Sequence, residues 1–240
     1  MIITIISKDR DVRTVEELGL KKGDAVIVVD NKLQQKLYLE NGWNHGLEVV
    51  AANCSGTALV RNFMIDYAGK RDNVQLDDDI KGMFRLSHDG KSLEKISNAE
   101  IFTFFKEAFE ICRKNNTKLW GVYPIKNHFF MSHRIDPAGF CIGSCCGIIP
   151  SEIRARKESD LKEDYDLTLQ HILKYKKVAR FNHLCLDAIH YTNKGGCQGF
   201  RNETREKAAV DYLISEYPTM VRLNPKRKNE ILIRVKGKMK

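Results

Sequence analysis

Four short apolar runs constrain this chain most: Ile2–Ile6, Ala25–Val29, Leu47–Ala52 and Val74–Leu76. Each is dense in β-branched or other large aliphatic side chains, and each is bounded by polar or glycine turns. That is the pattern of strands buried on both faces. Segments with helical spacing lie between them. Val12–Leu18 predicts a short helix. Lys32–Asn41 places Leu33, Leu37 and Tyr38 on one face and stops at Gly42. Thr57 is positioned to cap a helix that runs to Ala68, with Leu59, Val60, Phe63, Met64 and Tyr67 on its apolar side and Gly69 at its end. Strands that alternate with crossover helices pair in parallel, so this stretch predicts a parallel sheet covered by helices.

The rhythm changes after residue 80. Asp89-Gly90 predicts a turn between short strands. Asn98 is placed to cap a helix to about Asn115, whose apolar face holds Ile101, Phe104, Phe105, Ala108, Phe109 and Cys112. Strands are expected at Leu119–Tyr123, Phe129–Ser132, Phe140–Ile149, Val178–Leu186 and Ile231–Val235, and helices at Asp164–Lys174 and Thr204–Ser215. Lys194–Gly199 has loop composition. No repeat and no long linker breaks the 240 residues. The expectation is one compact α/β domain: residues 1–80 form its first part, 81–223 elaborate it, and 224–240 are a basic C-terminal segment.

Several classes are excluded. A composition of 42% hydrophobic and 30% charged residues is that of a globular chain, not a disordered one. No apolar run approaches the ~20 residues of a membrane span. Met1–Ile6 is cut off by Lys8-Asp9-Arg10-Asp11 and has no basic stretch before it, so a first strand is expected rather than a signal peptide, and with it a cytoplasmic protein without a membrane partner. Seven cysteines include no Cys-x-x-Cys pair, which argues against a zinc ribbon. Cys141, Cys145 and Cys146 are expected to be small buried side chains.

Charge is divided unevenly. Residues 1–100 carry 14 basic and 16 acidic side chains, whereas residues 101–240 carry 26 and 15. A slightly acidic half joined to a strongly basic one predicts two tasks, a cation with a small ligand on one side and a polyanion on the other.

The acidic triplet Asp77-Asp78-Asp79 closes the fourth apolar run. Three adjacent carboxylates repel, and burying them unpaired disfavours their charged forms. A divalent cation relieves the conflict, and hard carboxylate oxygens suit Mg²⁺ or Mn²⁺. Ligands of open parallel sheets bind beyond the carboxyl ends of the strands, where this triplet falls. Side chains two apart on a strand point the same way, so Asp77 and Asp79 are expected to face one site and Asp78 the other side.

These residues carry a resemblance. Asn53-Cys54-Ser55-Gly56, Arg61-Asn62 on the next helix, and Val74–Ile80 with its Asp-x-Asp resemble the nucleotide-sugar half of GT-A fold glycosyltransferases. Glu163-Asp164-Tyr165-Asp166 resembles the Glu-Asp motif that follows in such enzymes. Leu119–Pro124 and the Gly195-Gly196 loop are similar to the TET-associated glycosyltransferases, which include phage enzymes that decorate hydroxymethylated pyrimidines in DNA.

The resemblance implies a metal-dependent enzyme moving arabinose or glucose from a UDP-sugar to 5-hydroxymethylcytosine or a related pyrimidine of phage DNA, in an infected host's cytoplasm. Mn²⁺ or Mg²⁺ would be held by Asp79 and Asp77, with His183 or His190 as a late ligand. The donor would meet Ser7, Lys8, Arg10, Asp30, Arg61, Asp77, Asp78 and Lys194. Asp164, or else Asp166, would serve as the base. The basic C-terminal segment, including Lys226, Arg227 and Lys228, would meet DNA phosphates. Alternatives are a protein or glycan acceptor, a Mg²⁺-dependent nucleotidyltransferase, and a non-catalytic nucleic-acid-binding module.

Overall fold

The computed structural model describes residues 1–188 and 202–234. The first part folds as the alternation predicts. Strands β1 (Ile2–Ile6), β2 (Ala25–Val29), β3 (Glu48–Ala51) and β4 (Asn73–Asp77) alternate with helices α1 (Arg13–Glu17), α2 (Lys32–Glu40) and α3 (Thr57–Ala68). They pair in parallel in the spatial order β3-β2-β1-β4, with Ile6 beside Val28 on one side and Asp77 on the other. Ile5, Ile27, Val28, Val29 and Val74 are fully buried, as strands covered on both faces require.

The second part continues the same sheet in mixed sense. It contributes β5 (Ile80–Leu86), β6 (Leu93–Lys95), β7 (Leu119–Tyr123), β8 (Ile135–Asp136), β9 (Cys145–Ile148) and β10 (Ala179–Ala188), with helices α4 (Asn98–Lys114) and α5 (Glu163–Tyr175). The sheet runs β3-β2-β1-β4-β9-β7-β10-β5-β6, and β8 pairs with β10. Helix α4 packs Phe104, Phe105 and Phe109 around Trp120 of β7, the ring centroids lying 5.3–5.7 Å apart. Helix α6 (Glu203–Glu216) and a hairpin of β11 (Val221–Leu223) with β12 (Ile231–Ile233) complete the described chain.

Local chemistry moves several expected boundaries. Gly56, not Thr57, is the N-cap of α3. Its φ of 99° is one that side chains rarely adopt, and a Cβ there would lie 3.0 Å from Asp160. The capping acceptor comes from afar: the Asp160 carboxylate accepts from Ala58 N at 3.2 Å. Ser97 rather than Asn98 caps α4, through a capping box with Glu100. The expected strand Phe129–Ser132 is instead a 3-10 turn at His128–Phe130, initiated by Asn127, whose side chain accepts from Phe129 N. On α2 only Tyr38 is buried, while Leu33 is 75% exposed because the helix lies at the open edge of the sheet. Cys141, Cys145 and Cys146 are buried free thiols; burial holds each well above the usual thiol range, Cys146 at about 12, so they are unreactive packing groups.

Candidate active site

A cleft of about 1330 Å³ opens where the parallel strands end. Single-ligand pockets run to roughly 300–1,000 Å³, so this one has room for two substrates. Its floor comes from the segment after β1, the ends of β2 and β4, the first turns of α3 and the start of α5. Its rim comes from residues 124–130, from the end of β10, and from the β11–β12 hairpin.

The triplet is not a continuous strand. Asp77 ends β4, Asp78 and Asp79 form a turn, and β5 begins at Ile80. The strand-alternation expectation therefore fails, and all three aspartates line the cleft. Thr14 at the start of α1 fixes the turn. Its hydroxyl donates to Asp77 O at 2.7 Å and accepts from Ile80 N at 2.9 Å, while Thr14 N donates to Asp78 O.

Each carboxylate has a different task. Asp77 accepts from Arg61 Nη2 at 2.6 Å. Asp78 is fully buried and accepts from both Arg10 and Ser7. Arg10 Nε lies at 2.8 Å, and Ser7 in turn meets the Tyr38 hydroxyl at 2.7 Å. Asp79 is left with only a long 3.4 Å approach to Arg10 Nη2. Burial first, then Asp77 and Asp78, push the Asp79 carboxyl up to about 7.

Arg61 is buried between Asp77 and Glu163, with Nε 3.0 Å from Glu163 Oε1. Its Nη1 is buried without a hydrogen-bond partner. Glycine at 143 makes room for this guanidinium, since a Cβ there would lie 3.0 Å from Nη2. Asp30 sits at the end of β2 and is paired with Lys8 at 2.6 Å, both on the cleft wall.

Asp164 reaches the same cleft from α5. Its two oxygens accept from Gly143 N at 3.1 Å and Tyr165 N at 2.9 Å, which fixes its orientation. Burial, then the Glu163 charge, push it up to about 7. Asp166 does not share this position. It is fully buried and accepts from Arg156 N, Arg156 Nη1, Gln170 and the Tyr217 hydroxyl, away from the cleft. Residues two apart on a helix point roughly 200° apart, so only one of the pair can face a given site.

His183 also lies apart from the acidic floor. It is on β10, its pKa lowered by burial and then by His133, and it does not line the cleft. His190 and Lys194 lie outside the described residues. Sequence reasoning did not assign Glu163 to the floor, Thr14 and Asp160 to the turn and helix that support it, or Arg180, Arg222 and the Phe140–Tyr165 stack to the cleft. The rings of that stack lie 4.0 Å apart at 14°. The one signal available for Glu163 was the neighbouring Asp164.

The carboxylate oxygens of the floor are the hard donor type that suits a divalent cation, but the described residues do not supply a full set of them. Among the described residues no group of three or more His, Cys, Asp or Glu is placed to hold a metal ion. Asp79 is the least engaged carboxylate of the triplet, and five carboxylates (Asp77, Asp78, Asp79, Glu163 and Asp164) face Arg10 and Arg61. Mg²⁺ is commonly bound in this way, through one or two carboxylates plus substrate phosphates.

No family model and no curated protein matches the chain. Solved structures do match, 34 chains in all. One is residues 1–349 of S. aureus TarS, a staphylococcal glycosyltransferase, at a TM-score of 0.50 and 10% sequence identity. The match covers 91% of this chain and 72% of that one. At that identity the likeness is one of fold: the chain has the mixed α/β architecture of a GT-A-like single domain.

Proposed function

We propose that the protein is a glycosyltransferase that moves arabinose or glucose from a UDP-sugar to a hydroxyl acceptor, 5-hydroxymethylcytosine or a related pyrimidine in phage DNA. One observation supports the reading: a crowded acidic floor lies at the ends of parallel strands, and Asp164, held by two backbone N–H groups, lines the same cleft.

The floor as it stands would repel a diphosphate. A Mn²⁺ or Mg²⁺ ion held by Asp79, with Asp77 beside it, would offset that charge and the charge that grows on the leaving group. The chain's own groups do the remaining work. Ser7, Lys8 and Asp30 line the nucleoside end. The Tyr38–Ser7–Asp78 chain of hydrogen bonds fixes Arg10 over Asp79, and Arg61 holds Asp77 and Glu163 in place. Asp164 accepts the proton of the acceptor hydroxyl as that oxygen bonds to the anomeric carbon. The bond from that carbon to the β-phosphate oxygen breaks, and UDP leaves. A carboxyl held at about 7 is matched to this task, because a base works best with a pKa near the operating pH.

A screen of UDP-sugars with Mn²⁺ and hydroxymethylated DNA tests the reading. Sugar transfer with release of UDP is the expected result. Release of pyrophosphate from a nucleoside triphosphate would assign the acidic floor to nucleotidyl transfer, and no release from any donor would contradict the proposal.

A further inference from the structure

The rim of the cleft differs from its floor and is not needed for donor chemistry. Phe129 and Phe130 stand 80% and 64% exposed on the 3-10 turn. Their exposure is built in. The Asn127 side chain accepts from Phe129 N at 3.1 Å, and the His128 ring packs against Phe129 at 4.0 Å. Phe130 lines the cleft mouth beside Lys126.

The β11–β12 hairpin lines the same mouth with Arg222, Lys226 and Arg227. It is tied down by Glu230, which accepts from Lys162 Nζ at 3.2 Å and from the Tyr165 hydroxyl at 2.9 Å, next to Asp164. The carboxylates on this side are already held, Asp136 by Arg180 at 2.9 Å and Asp187 by Lys126 at 2.7 Å.

Phe130 and the three cations line one cleft, with Phe129 exposed next to Phe130, and exposed aromatic faces together with cations suit a ligand that carries flat apolar groups along a polyanionic backbone. A duplex hides its base faces. A neutral glycan would leave Arg222, Lys226 and Arg227 without a counterpart. We propose that this rim binds an unpaired stretch of nucleic acid, with bases stacked on Phe129 and Phe130 and phosphates on Arg222, Lys226 and Arg227, so that the acceptor hydroxyl is delivered to Asp164. The inference rests on the glycosyltransferase reading and names the form in which its acceptor is taken.

Fluorescence anisotropy with the full chain tests it. The probes are a labelled single-stranded deoxyoligonucleotide, the same sequence as a duplex, and inorganic polyphosphate as a base-free competitor. The single strand is expected to bind at low salt at least tenfold tighter than the duplex. Phe129→Ala and Phe130→Ala should each weaken it by about 5- to 100-fold without changing the slope of log K against log salt. Lys226→Gln and Arg227→Gln should each flatten that slope by about one. Both rings are exposed, so the alanine variants should keep the parent's melting temperature, which is measured alongside. Equal binding of duplex, unchanged affinity in both phenylalanine variants, or competition by polyphosphate as strong as by the oligonucleotide overturns the proposal. So does absence of binding at low salt. If the unsubstituted protein still releases UDP from a nucleotide sugar, only the acceptor assignment falls; if it releases none from any donor, the glycosyltransferase reading falls with it.

Discussion

On the cleft floor, Asp77, Asp78, Asp79, Glu163 and Asp164 crowd around Arg10 and Arg61. Most of these side chains are fixed by partners 16 to 102 residues away in sequence. At the rim, Phe129, Phe130, Lys226 and Arg227 are exposed on a 3-10 turn and on the loop of the β11–β12 hairpin. The floor has buried charge whose geometry is over-determined; the rim has exposed surface whose geometry is set by one turn and one hairpin. A preorganised floor suits a step in which charge develops at a fixed place, because its dipoles need no rearrangement as the reaction proceeds. An exposed rim suits a large, variable ligand.

The sharpest way to break this contrast is through Asp164. Asp164→Asn should lower acceptor-dependent turnover by about 10²–10⁴-fold, the usual worth of a positioned base, and leave the melting temperature close to the parent's. The pH dependence follows from its raised pKa. A base must be deprotonated, so the rate should rise with pH through about 7 and flatten above it. The same shift has the opposite sign for stability. The folded protein holds this proton more tightly than the unfolded chain, so the group's contribution is complete below the ordinary carboxylate range and is lost as pH rises through about 7. A rate profile flat from pH 5 to 8 in the parent would remove Asp164 as the base.

A smaller effect separates chemistry from scaffold on the same helix. Asp166→Asn removes charge-assisted bonds to Arg156 and, because the amide keeps one oxygen, leaves either Tyr217 or Gln170 short of an acceptor. Discounted for the partial exposure of Arg156, the loss should be about 2 kcal/mol, or roughly 4–8 °C in Tm. Turnover per folded molecule, measured well below that Tm, should change little. The smallest effect is expected at His183, which does not line the cleft. His183→Gln should leave the Mn²⁺ concentration for half-maximal activity within about twofold of the parent, on the general rule that substitutions remote from special features do little.

The floor was legible in the sequence for a topological reason. Ser7, Lys8, Asp30 and Asp77 follow or end parallel strands, and parallel strands deliver their carboxyl ends to one place. What was not legible depended on side chains meeting across long separations. Thr14 holding the triplet turn and Asp160 capping α3 leave no local pattern. Asp78 was placed on the wrong face because alternation holds only while the chain remains a strand, and the chain turns there. The pair Asp164 and Asp166 was separable in principle, since helical period alone forbids both from facing one cleft. Phe129 and Phe130 looked like strand residues because aromatic density favours strands, yet a single Asn127 side chain commits that segment to a turn.

In the proposed reaction Asp79 and a divalent ion together would receive the donor's diphosphate. Calorimetric titration of UDP into the protein, with and without Mn²⁺, addresses it directly, with Asp79→Asn as the comparison. Mn²⁺ should strengthen UDP binding at least tenfold in the parent and have little effect in the variant. Binding of UDP that is equally tight without the metal, or equally metal-dependent after the substitution, would contradict it.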